Sequence, residues 1–116
     1  MKVTSLFTVK FKLILEFGNG EYRLLDIKQF LRDDKGKLAE VRDNIDMFQT
    51  AMLDNVAGTV VWENGVDFEP EHLYSESVNI DHILVNEEMK RGQYYLLRMM
   101  NDFIKEQEKQ KRERGE

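Results

Sequence analysis

Residues 11–24 carry the pattern that most narrows the fold. Phe11, Leu13, Leu15 and Phe17 alternate with Lys12, Ile14 and Glu16, and a period of two puts alternate side chains on one face of a strand. Gly18-Asn19-Gly20 comes next. Asn and Gly tolerate the positive φ values that a tight hairpin turn needs. Tyr22 and Leu24 then continue the inward face on a returning strand. A sheet with one covered face is expected, so apolar material has to lie against that face. Lys2 to Phe7 is placed as an added edge strand.

The segments after the hairpin supply the cover. Asp26-Ile27-Lys28-Gln29 reads as a capping box, in which the Asp carboxylate accepts from an orphan backbone N–H and Gln29 reaches back. Phe30 and Leu31 give that short helix its apolar side, and Asp33-Asp34-Lys35-Gly36 stops it. Residues 37–47 favour no single element. Phe48 to Leu53 is expected as a strand, Asp54 to Gly58 as a turn, and Thr59-Val60-Val61-Trp62 as the returning strand of a second hairpin. Glu63-Asn64-Gly65 turns again. Pro70 suits the first position of a short helix through Leu73 and Tyr74, because its missing N–H costs nothing there.

The end of the chain is different. Asn86 is placed as the cap of a long helix from about 87 to about 112, with Glu87 and Glu88 near its positive end. Eight of the eleven residues from Tyr94 to Ile104 are apolar or aromatic, whereas one packed helix face needs only about three or four per two turns. Nine of the last twelve residues are charged, so that end is expected to be solvated. The fold class expected is α+β: a small antiparallel sheet of two hairpins, short covering helices and a long C-terminal helix. The domain comprises residues 1–75 and folds on its own, 76–86 connect, and 87–116 form the helix with its charged tail.

Composition removes several function classes. There is no cysteine, which rules out disulfides, thiolate metal sites and cysteine nucleophiles. No apolar run approaches the 18 or so residues of a membrane span. Met1 to Phe7 alternates too quickly for a signal-peptide core, so a cytoplasmic location is expected. Residues 1–88 hold 9 Lys and Arg against 17 Asp and Glu, a balance of −8, and residues 89–116 hold 8 against 5, a balance of +3. An acidic body repels phosphate backbones, which argues against nucleic-acid binding by residues 1–88.

The segments Phe17-Gly18-Asn19-Gly20, Asp26, Phe48 and Trp62-Glu63-Asn64-Gly65-Val66-Asp67-Phe68-Glu69-Pro70-Glu71-His72-Leu73-Tyr74 resemble a small bacterial and phage family, the domain of unknown function numbered 2442. The family pattern is a strand ending in Phe-x-Asx-Gly, an Asp before a short helix, a Phe-bearing segment, and then the Trp-x-Asn-Gly-x-Asp to Pro-Glu-x-Leu-Tyr signature. The resemblance spans roughly residues 1–75. It implies a small α+β domain without an established catalytic activity. Some members carry a helix-turn-helix DNA-binding segment after the domain, and others look like partners of small toxin-like proteins, an antitoxin-like role.

Reactive chemistry finds little support. His72 and His82 stand near Glu69, Glu71 and Asp81, but their spacing matches no metal motif. Ser5, Ser75 and Ser77 sit in no nucleophile elbow, and no phosphate-binding glycine loop is present. The acidic pairs Asp33/Asp34, Glu69/Glu71 and Glu87/Glu88 fall in turns and helix starts. Neither a metal nor a cofactor is therefore expected. Asp26, Trp62, Asn64, Gly65, Asp67, Pro70 and Tyr74 are assigned to structure, with Asp26 and Asp67 holding backbone N–H groups. Leu96, Met100 and Phe103 form one stripe of the C-terminal helix, and Tyr94, Leu97 and Ile104 point away from it. Tyr94, Leu97, Met100 and Ile104 are the candidate contact residues, for a second copy or for a small partner protein. A non-catalytic interaction module is the favoured function, ahead of a DNA-associated regulator and an enzyme.

Overall fold

The computed structural model describes residues 1–83 and Lys109. The chain divides into two units, Met1–Asp81 and His82–Glu116, and every strand and helix whose bounds are described belongs to the first. Of the long helix expected over about 87–112 only Lys109, which is helical, is among the described residues, and Tyr94, Leu97, Met100 and Ile104 lie outside them. The described part is α+β, with antiparallel strands and short helices.

Strands β1 (Val3–Val9), β2 (Lys12–Phe17) and β3 (Tyr22–Asp26) form a meander. A two-residue strand at Val78–Asn79, β6, closes the sheet in the order β1-β2-β3-β6. Phe11 is not in β2 as the alternation suggests. It sits with Lys10 in the turn between β1 and β2, and both have positive φ, 67° and 45°. That conformation is unfavourable for a bulky residue, and three contacts hold it. The Phe11 carbonyl accepts from the Ile27 N–H at 3.0 Å. Its ring meets Phe48 at 5.4 Å, and the Lys28 ammonium lies 4.2 Å from the ring centre.

The connection from β2 to β3 closes with the Phe17 N–H donating to the Glu21 carbonyl at 2.9 Å. Gly20 supplies the positive φ, 87°. This closure sets the register at Glu16↔Tyr22, which places Leu24 opposite Ile14 and Leu25 opposite Leu13. Opposed residues share a face, so Leu25 joins the core with Leu13, Leu15 and Phe17, while Tyr22 and Leu24 fall on the other side. The expected inward face of β3 is thus corrected by one residue, and a shift of one reverses every side chain. β2 is also not one-sided: Leu13, Ile14 and Leu15 are all fully buried.

Between the sheet and the second hairpin come three helices: α1 (Ile27–Phe30), α2 (Lys37–Asp43) and α3 (Ile45–Phe48). Phe48, expected to open a strand, ends α3 instead. The local cause is Asn44, whose side-chain oxygen accepts from the Asp46 and Met47 N–H groups and caps that helix. Strands β4 (Met52–Asp54) and β5 (Thr59–Val61) come next. They form a two-stranded sheet of their own rather than joining the first. The Gly58 carbonyl of its turn accepts from the Val3 N–H at 2.8 Å, which ties the turn to β1. Helix α4 (Pro70–Glu76) completes the cover, with Pro70 in its first turn as expected. The core cluster joins Leu13, Leu15 and Leu25 of the large sheet to Val41, Phe48, Val60, Trp62 and Leu73.

Candidate functional site

The stretch from Trp62 to Tyr74 begins as a turn. The Gly65 N–H donates to the Trp62 carbonyl, the Trp62 N–H donates to the Val66 carbonyl, both at 2.9 Å, and Gly65 has φ 92°. A β-carbon is strained in that conformation, which is why glycine stands there. Trp62 is almost wholly buried. Its indole N–H donates to the Phe48 carbonyl at 3.0 Å, and its ring meets Phe68 edge-on at 5.8 Å. Asn64 reaches the other way. Its amide donates to the Lys37 carbonyl at 3.1 Å and to Glu40 Oε1 at 3.0 Å, while its side-chain oxygen accepts from the Val66 N–H. Trp62 therefore holds α3, and Asn64 holds α2.

The two acids predicted to hold backbone groups part company. Asp26 accepts from the Lys28 and Gln29 N–H groups and caps α1. Asp67 is exposed and its carboxylate holds no backbone N–H among the described residues; the residue is placed by a backbone bridge to Val61. The difference lies in the distance from each acid to the next helix. A helix begins at once after Asp26, whereas Phe68 and Glu69 separate Asp67 from α4.

Tyr74 ends the stretch inside a polar network that the sequence does not announce. Its ring meets Phe17 edge-on at 5.2 Å and carries the Arg23 guanidinium 4.2 Å from its centre. Arg23 donates to the Ser77 hydroxyl at 2.8 Å and to the Ser77 carbonyl at 2.7 Å. The Asn79 amide donates to Glu21, and Asp81 accepts from the Tyr22 N–H, both at 3.0 Å. The Tyr74 hydroxyl and the Asn19 amide beside Glu21 hold its carboxyl below the usual carboxylate range. Glu21 in turn pushes the Tyr74 hydroxyl up. The network fastens residues 77–81 to the start of β3. Its members lie in two segments, 19–23 and 74–81, that only folding brings together, so residue spacing gives no sign of it.

A second cationic clamp is equally invisible in the sequence. Arg42 donates to the carbonyls of Leu31 and Asp34 at 2.9 and 2.8 Å and pairs with Asp43 at 2.7 Å. It gathers the turn after α1 that Asp33 and Asp34 occupy. A shallow open groove of about 330 Å³ adjoins that turn, lined by Phe30, Leu31, Leu38, Phe68, His72 and Glu76 among others. The Phe30 ring in its lining is 5.0 Å from both the Phe68 and His72 rings. His72 Nε2 lies 4.0 Å from Glu76 Oε1, and both side chains are more than half exposed. Among the described residues no three His, Asp or Glu side chains gather as a metal ion would need. No helix among them is long and apolar enough to cross a membrane.

A strand closed by Gly20, an Asp-capped α1 and the Trp62–Tyr74 turn and helix together coincide with one family model. Residues 6–79 match the family described as a protein of unknown function, DUF2442. The chain belongs to this family. No curated protein and no solved structure matches it. The DUF2442 match continues past the signature to Asn79, the end of β6. It therefore includes the strand that Arg23 and Glu21 fasten in place.

Proposed function

We propose that this DUF2442 chain is a non-catalytic protein-interaction module, with residues 1–81 as scaffold and the apolar stretch Tyr94–Ile104 as the contact. One observation carries this reading. The side chains of Trp62, Asn64 and Tyr74 are engaged with neighbouring elements, so the most distinctive residues of the chain are occupied in holding the fold. The stretch with eight apolar or aromatic residues in eleven then stands out as the sequence best suited to a contact, since large apolar patches are seldom left uncovered. Met99 and Met100 add the adaptable packing that suits a foreign surface. The partner is a second copy or a small protein, the latter being the antitoxin-like form of the proposal.

Light scattering on the full chain tests it. Self-association predicts roughly twice 13.8 kDa, and Leu97→Glu or Ile104→Glu should return the mass to a monomer with the melting transition retained. A wild type that is also monomeric excludes self-association and leaves the stretch either closed within the chain or in contact with a different protein. If either variant loses its cooperative melt, the stretch belongs to the chain's own core and the proposal fails.

A further inference from the structure

We draw no further inference here: the strongest candidate, the second face of the four-stranded sheet around Ile14 and Ile80, both buried yet outside the main core cluster, carries nothing because no element among the described residues shows what covers it.

Discussion

The two hairpins β2–β3 and β4–β5 are built by opposite means. β2 buries Leu13, Ile14 and Leu15 completely, on both faces. β4 leaves Met52 65% exposed, and Val56 in its turn is 88% exposed. What shapes the second hairpin is its turn. Asp54 accepts from the Val56 and Ala57 N–H groups at 3.0 Å, and the Gly58 N–H returns to the Asp54 carbonyl at 2.7 Å. Gly58 also has positive φ, and the Lys2 side chain occupies the place a β-carbon would take. The first hairpin is thus packed on both faces of β2, whereas the second packs mainly through Val60 of β5 and is shaped by turn chemistry and by what its far end grips, since β5 leads directly into Trp62. An apolar strand beside a good turn does not by itself reveal which of the two is at work.

Ile14→Ala should show the largest effect, a loss of about 2–5 kcal/mol, the range for truncating a fully buried aliphatic side chain. Urea unfolding followed by circular dichroism measures it. A loss under about 1 kcal/mol would mean that β2 is packed on one side only, and the contrast between the hairpins would narrow.

How much of this is legible in the residues depends on the range of the interaction. Leu13, Leu15 and Phe17 on the core face of β2, the Asp26 cap, the Gly20 and Gly65 turns and Pro70 at the head of α4 are local effects that appear where the residues place them, while Phe11 and Ile14 depart from the alternation. The inward face of β3 escapes such reading because register depends on how the connection through Gly20 closes, not on the alternation itself. Phe48 escapes it because a lone Asn44 cap is a weak signal beside an apolar run. The Arg23 and Arg42 clamps leave no local trace at all. Each guanidinium collects carbonyls or hydroxyls from chain segments whose approach is a result of folding.

Acid should reveal the Glu21 network with a more modest effect. The folded carboxyl lies below its ordinary value, so its contribution is present above the usual glutamate range and is lost as the pH falls through the folded value. Thermal melts at stepped pH should show Glu21→Gln less stable than wild type near neutrality, with the gap closing in acid. A gap that stays constant down to strong acid would mean that the charge of Glu21 does not fasten residues 77–81.

Met52→Lys should be the smallest change, within about 0.5 kcal/mol, because an exposed strand residue has little packing to lose. A loss approaching that of Ile14→Ala would show β4 to be covered, and would erase the contrast between the hairpins.

The Trp62–Tyr74 signature is closed and holds the fold. Trp62 is the only tryptophan in the chain, so its indole N–H gives a single proton resonance. Its hydrogen exchange can be measured by NMR and compared with the slowest backbone amides of β2. Buried and bonded to the Phe48 carbonyl, it should exchange only through the opening that releases those amides, with the same free energy. Exchange within minutes under conditions where the β2 amides stay protected would show the turn opening on its own, and would make Trp62 a residue available to a partner.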